Sequence, residues 1–186
     1  MKKIALISLL LLPGWLYAAE GEKTLKGVTL PAAIQLDGKK LELNGLGLRT
    51  KVVFKVYVAG LYLEKTSRDG LAIAASEQVK RIDLVFLRAV DGADVAKAIG
   101  DGFTNNAGEA LPAIRERVAK FEKLIPSVKK GDKLSFTYRP GSGVELAAGE
   151  KQLGVIEGKD FGDALLRVWL GSKPSDLALK NGLLGL

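Results

Sequence analysis

The chain of 186 residues contains no histidine and no cysteine. Those absences exclude His-based catalytic triads, thiol nucleophiles and disulfides. They also exclude the His/Cys sites that hold zinc, haem iron or iron–sulfur clusters. Carboxylates, Lys, Arg, Tyr and hydroxyls are left for chemistry, and no cofactor is expected. No stretch of 18 apolar residues occurs, so no transmembrane segment is expected either. A nucleotide fingerprint is missing, because Gly45-x-Gly47 lacks the rest of a phosphate-binding loop. Concentrated positive charge is missing too: beyond the N-terminus no basic run exceeds two residues, as at Lys129-Lys130 near a turn. That pattern describes a solvated surface, and no nucleic-acid partner is expected.

An apolar fraction of 47% over this length is enough for one domain with its own core. The first residues have a separate character. Lys2 and Lys3 precede the apolar run Ile4 to Leu12, and Pro13-Gly14 breaks it before Trp15, Leu16, Tyr17 and Ala18. This is the layout of a secretory signal peptide cleaved after Ala18, and the run is too short to span a bilayer of about 20 residues. The expected organisation is a signal peptide over 1–18, one domain over 19–186, and a periplasmic location. Removing two lysines and no acid lowers the net charge from +7 to +5.

Period-two alternation predicts strands, and turn residues punctuate them. Ala33 to Leu36 and Lys40 to Leu43 flank Asp37-Gly38 as a hairpin. The run Val52 to Leu63 is apolar on both alternating faces except at Lys55, which predicts a central strand covered on each side. Gly60 within it marks a bulge or a close backbone approach. Arg81 to Arg88 is a further strand, and residues 132 to 157 return to strands around Pro140-Gly141-Ser142-Gly143. Helices are expected over about 93–105 and 109–124, where apolar residues recur three and four apart. Phe161, Ala164, Leu165 and Val168 form another helical stripe, with Trp169 flanking it. Ser175 is placed to cap a short last helix ended by Asn181-Gly182. Strands, a helix pair, more strands and terminal helices make an α+β fold with a mainly antiparallel sheet.

Three segments together resemble the chalcone isomerase superfamily, and more closely its bacterial exported chalcone isomerase-like branch. They are Leu43-Asn44-Gly45-Leu46-Gly47-Leu48-Arg49 with Phe54 to Leu63, Phe86-Leu87-Arg88 leading into the helix pair, and Gly158-Lys159-Asp160-Phe161-Gly162-Asp163 running on to Gly171. The resemblance implies an open-faced sandwich, a large antiparallel sheet backed by helices with an apolar cleft between them. It also implies one of two activities known in plants, cyclisation of a chalcone or non-catalytic binding of a fatty acid. The cyclising enzymes use a cation near the phenolate, with a Tyr and a Thr polarising the ketone. Arg49 matches their Arg, but their Thr falls on Tyr57, their Tyr on Val95, their Asn on Gly102 and their late Thr/Ser on Val168. A valine can neither donate a hydrogen bond nor order a catalytic water, so the resemblance leans away from an enzyme. The binding branch holds the carboxylate with an Arg and a Tyr, which correspond to Arg49 and Tyr57. A guanidinium can grip a carboxylate bidentately while a phenol adds a third bond. Val95 and Val168 then become walls for the tail, and Arg88, at the helix-pair entrance, is a further candidate contact with an ion-pair role as its alternative.

Two readings stay open for the central pair. Eight residues along a straight strand span about 26 Å, too far for one ligand. Arg49 and Tyr57 converge only if the chain turns between them, near Thr50 and Lys51. Otherwise Tyr57 is a core tyrosine with a satisfied hydroxyl and Arg49 pairs with an acid. Tyr62 is expected in the core. The leading functional expectation is a non-catalytic periplasmic binder of a fatty acid or other apolar anion. The alternatives are an isomerase or lyase using Arg49 and Tyr57, or an envelope protein-interaction module. In that last case Leu183, Leu184 and Leu186 would form an exposed patch instead of docking into the core.

Overall fold

Alternation at period two builds most of the sheet, and the turn residues set its order. The computed structural model describes residues 21–186; the leader expected over 1–18 lies outside the described residues. A small hairpin comes first, β1 (Glu22–Leu25) with β2 (Val28–Pro31). The main sheet follows: β3 (Ala33–Leu36), β4 (Lys39–Lys51), β5 (Phe54–Leu63), β6 (Lys80–Phe86), β7 (Lys133–Arg139), β8 (Gly143–Ala148) and β9 (Lys151–Ile156). These seven strands lie in chain order, each antiparallel to the next. Helix α1 (Gly70–Ala75) sits between β5 and β6. Helices α2 (Gly92–Asn106) and α3 (Leu111–Glu122), linked by a 3-10 turn at Gly108–Ala110, lie between β6 and β7. Helices α4 (Lys159–Leu170) and α5 (Leu177–Leu183) close the chain. The expected α+β architecture, an antiparallel sheet backed by helices, is the observed one.

Strand β5 is covered on both faces, as its unbroken apolar run predicts. Ala59, Leu61 and Leu63 enter the main core with Phe86, Phe103, Phe121, Phe136, Phe161 and Trp169. Tyr62 points the other way, into a smaller cluster with Leu30, Leu41, Leu43 and Val79. It is fully buried and its hydroxyl donates to the Pro31 carbonyl at 3.0 Å. Gly60 is neither a bulge nor a close approach of backbone: the leucine side-chain ends of Leu30, Leu43 and Leu46 pack over it. The bulges lie elsewhere, at Asn44 and Val56, each skipped in the β4–β5 register.

Three further expectations need correction. The apolar run does not begin a covered strand at Val52: Val52, Val53 and Phe54 are 89%, 78% and 57% exposed, because the chain reverses there and the pairing starts with Lys51↔Phe54. The last helix is capped by Asp176 and not Ser175, since the Asp176 carboxylate accepts from the Leu179 N–H at 3.1 Å. That helix also runs through Gly182 to Leu183. Helix α1, only six residues long, has too little apolar periodicity to be visible beforehand.

Gly182 stays helical because it is needed for contact. On β4, Gly45 and Gly47 present bare backbone to α5. A Cβ at Gly45 would meet the Gly182 and Leu183 carbonyls, one at Gly47 the Leu179 carbonyl, and one at Gly182 the Leu46 carbonyl. Strand and helix therefore meet backbone to backbone. The bulged Asn44 fastens the seam, donating to the Leu183 carbonyl at 2.8 Å and the Ser67 carbonyl at 2.9 Å. Leu183 and Leu184 dock into the core, while Leu186 is exposed. Gly45→Ala is expected to lower stability by about 1–3 kcal/mol, the usual cost of overpacking. The check is a fall in urea midpoint at unchanged slope.

A second buried polar device holds α1. Lys80 has no solvent exposure, and its ammonium donates to the Ile73, Ala74 and Ser76 carbonyls at 3.2, 2.8 and 2.7 Å. It also lies 4.4 Å above the Tyr138 ring centroid. Burial pulls its pKa down from 10.5 to about 8. The native state thus releases this proton before the unfolded state does, so the group's contribution to stability rises with pH between about 8 and 10.5. The stability of the wild type relative to Lys80→Met is expected to climb from pH 8 to pH 10 in urea titrations. A flat difference would contradict the assignment.

Candidate functional site

The β4–β5 hairpin decides which side chains meet. Lys51 pairs with Phe54 and Thr50 with Lys55; Val56 is then passed over, so Arg49 stands directly opposite Tyr57. The chain does turn between the two residues, at Val52-Val53 and not at Thr50-Lys51. Eight residues along the sequence become one cross-strand step, where opposite Cβ atoms are about 5 Å apart.

Tyr57 packs edge-on against Phe86, with ring centroids 5.6 Å apart and planes at 64°. Its hydroxyl oxygen accepts a hydrogen bond from Trp169 Nε1 on α4 at 3.1 Å. The phenolic proton is left to point elsewhere, because the indole can only donate. Burial raises the Tyr57 pKa; the Trp169 bond and the Arg49 charge pull it back, and the Asp176 charge pushes it up. The phenol is therefore a neutral donor at neutral pH and a poor base.

Arg49 donates to the Thr50 carbonyl at 2.7 Å and to Asp176 Oδ2 at 3.3 Å. The same Asp176 oxygen accepts the Thr50 N–H at 3.1 Å. Burial pushes the Asp176 carboxyl up, but the Leu179 and Thr50 N–H groups and the Arg49 guanidinium outweigh it and hold it below the ordinary value. Both readings of the pair thus hold in part: Arg49 and Tyr57 converge, and Arg49 also pairs with an acid.

A pocket of about 780 Å³ opens beside this pair, between the sheet and the helices. All five residues singled out from the sequence border it: Arg49, Tyr57, Arg88, Val95 and Val168. Arg49 and Tyr57 form one polar part of the wall, and Asp91, Asp94, Ser127 and Lys129 border the pocket as well. Val95 and Val168 are buried in the apolar part, with Leu84, Phe86, Ile99 and Val128. One Val168 methyl lies where a side chain at Gly102 would begin, so Gly102 accommodates the valine and reaches no ligand. Arg88 is exposed at the rim, its guanidinium carbon 4.8 Å from the Phe54 ring centroid. No ion pair joins it among the described residues.

Trp169 and Asp176 are the site residues that sequence reasoning missed. Trp169 was legible as a flank of the α4 stripe, but its bond to Tyr57 spans 112 residues and no local signal carries it. Asp176 is separated from Arg49 by 127 residues. Among the described residues no group of three or more carboxylates is placed to hold a metal ion. No helix among them is long and apolar enough to cross a membrane.

The geometry amounts to a pocket with an apolar wall, a cationic, hydrogen-bonding corner at Arg49 and Tyr57, and charged side chains, Asp91 and Asp94 among them, along its border. It can receive an elongated apolar molecule with an anionic or carbonyl head. Among curated proteins none matches the chain. Among solved structures, a fatty-acid binding protein of Arabidopsis thaliana superposes with a TM-score of 0.71 at 16% sequence identity, over 88% of this chain and 96% of that one. At that identity the likeness shows the fold. Residues 22–185 match the family described as chalcone isomerase-like. With the seven-stranded antiparallel sheet and its backing helices in place, the chain belongs to the chalcone isomerase-like family.

Proposed function

We propose that the protein is a non-catalytic, periplasmic binder of a fatty acid or a similar apolar anion. The observation that carries the reading is the hairpin register, which sets Arg49 and Tyr57 side by side on the wall of an apolar pocket. The ligand carboxylate sits between the guanidinium and the free phenolic proton, and its tail runs along Val95, Ile99 and Val168. Pockets of about 300–1,000 Å³ are usual for molecules of this size, and the 780 Å³ pocket falls within that range. The Arabidopsis protein of the same fold binds fatty acids, which supports the ligand class. The N-terminal basic–apolar segment supports export.

The side chains at the positions matching the cyclising enzymes support a reading without turnover. Val95, Gly102 and Val168 offer no proton donor, and the high pKa of Tyr57 disfavours it as a base at neutral pH. An isomerase acting through Arg49 and Tyr57 would need a second polar group, such as Asp91 or Asp94 on the helix side of the pocket, to face the reacting atoms.

The pair Arg49–Asp176 supplies the test. In the ligand-free protein the Asp176 carboxylate occupies part of the guanidinium, so an incoming carboxylate competes with it. Asp176→Asn keeps the helix cap, since Asn caps as well as Asp, but removes that competing charge. It is expected to bind palmitate several-fold more tightly by calorimetry, whereas Arg49→Ala binds at least about tenfold more weakly, the loss of a charged hydrogen bond. Native mass spectrometry of the purified protein should show a fatty acid that Arg49→Ala lacks. Equal affinity in all three proteins would leave Arg49 with a purely structural role.

A further inference from the structure

The pocket has a mouth, and the mouth carries an unusual tip. At the β4–β5 turn, Val52, Val53 and Phe54 stand consecutively in solvent, 89%, 78% and 57% exposed. Soluble surfaces expose single apolar side chains freely, but three together at the end of a projecting hairpin form a patch. The backbone makes it more pointed. Val52 has φ of 58°, the left-handed region that Gly or Asn adopts at little cost and a β-branched residue does not. A two-residue hairpin turn built for stability would carry one of those residues instead, so valine at this position is retained against local backbone preference.

Cations surround the tip. Lys51 and Lys55 flank it in sequence, and both are exposed. Arg88 stacks on the Phe54 ring from the end of β6. Lys129 and Lys130 lie in the turn that reaches the same end of the sheet, where the Gly131 N–H donates to the Phe86 carbonyl at 2.8 Å and the Phe86 N–H to the Asp132 carbonyl at 2.9 Å. None of these five cations belongs to an ion pair among the described residues. Three carboxylates are near: Asp91 and Asp94 on the helix side of the pocket, and Asp132, which accepts the Lys129 N–H. Lys51, Val52, Phe54, Arg88 and Lys129 all border the pocket, so tip and collar are its rim.

We propose that the Val52-Val53-Phe54 tip docks the protein on an anionic lipid surface, inserting its apolar side chains while Lys51, Lys55, Arg88, Lys129 and Lys130 meet the headgroups. The choice of occupant rests on charge complementarity. A short apolar projection ringed by cations matches an interface that is apolar within and anionic at its border, and each basic residue near such a surface contributes favourably. A protein partner would need a larger flat patch to bury. The assignment stands on the hairpin and holds whatever the pocket contains.

The experiment uses the purified protein with vesicles of phosphatidylcholine alone or with 30% phosphatidylglycerol. Val53 and Lys55 are the residues to change, because neither borders the pocket. Wild type is expected to co-sediment with the phosphatidylglycerol vesicles, at least tenfold more weakly with phosphatidylcholine alone, and to be released by 0.5 M salt. Val53→Asp should lose at least tenfold and Lys55→Glu about fivefold, with thermal midpoints unchanged. Val53→Trp should show a blue-shifted emission only with the anionic vesicles, reporting insertion at the tip. Equal sedimentation with both vesicle types, or Trp emission that ignores them, overturns the proposal. So does a lipid-free dimer by light scattering that Val53→Asp dissociates, since the tip would then be covered by a second copy.

Discussion

One carboxylate ties the site to the fold. Asp176 caps α5 through the Leu179 N–H, receives the Thr50 N–H from the last turn of β4 pairing, and holds the Arg49 guanidinium. Remove it and three things loosen together: the start of the helix, the end of the strand and the cation that faces the pocket. Its reach is possible only because Gly45, Gly47 and Gly182 let α5 lie on β4 without intervening side chains. A wider separation, with side chains between strand and helix, would carry Asp176 out of range. Small residues that look like punctuation in the sequence thus decide where a charge sits in the site.

The chemistry of the pocket is set by subtraction. An Arg, a buried phenol and an indole make one polar corner, while the positions across from it are Val95 and Val168 with Gly102 behind. Such walls suit a hydrocarbon chain. The Trp169 bond adds a refinement. By donating to the Tyr57 oxygen it orients the phenol and leaves its proton for a guest.

Much of the sheet was legible because alternation and turn dipeptides are local signals. Asp37-Gly38, with φ of 52° and 74°, forms the turn its sequence predicts. The helix pair and the α4 stripe followed from their three-four spacing. The run from Val52 misled because exposed and buried valines look alike to a period-two pattern; only the register distinguishes a tip from a covered strand. The site itself was half legible. Arg49, Tyr57, Val95 and Val168 came from resemblance; the hairpin set Arg49 beside Tyr57, and α2 and α4 placed the two valines on the same pocket. Trp169 and Asp176 could not be foreseen, since they act through contacts across more than a hundred residues.

The strand order carries a kinetic meaning. Each strand of the main sheet pairs with its neighbour along the chain, so the β3–β4–β5 and β7–β8–β9 hairpins can zip with small loops to close, while β5–β6 closes over α1 and β6–β7 over the helix pair α2–α3. The α5–β4 seam reaches farther still, joining residues such as Asn44 and Leu183 that are 139 apart. On entropic grounds that contact belongs among the latest to form. A chain with its sheet complete but α5 undocked would have most of its core and an unfinished binding corner, with Arg49 unrestrained. The Arg49–Tyr57 corner would then be completed as the closing step of folding, and conditions that only loosen the seam would release Arg49 from Asp176 long before they melt the sheet.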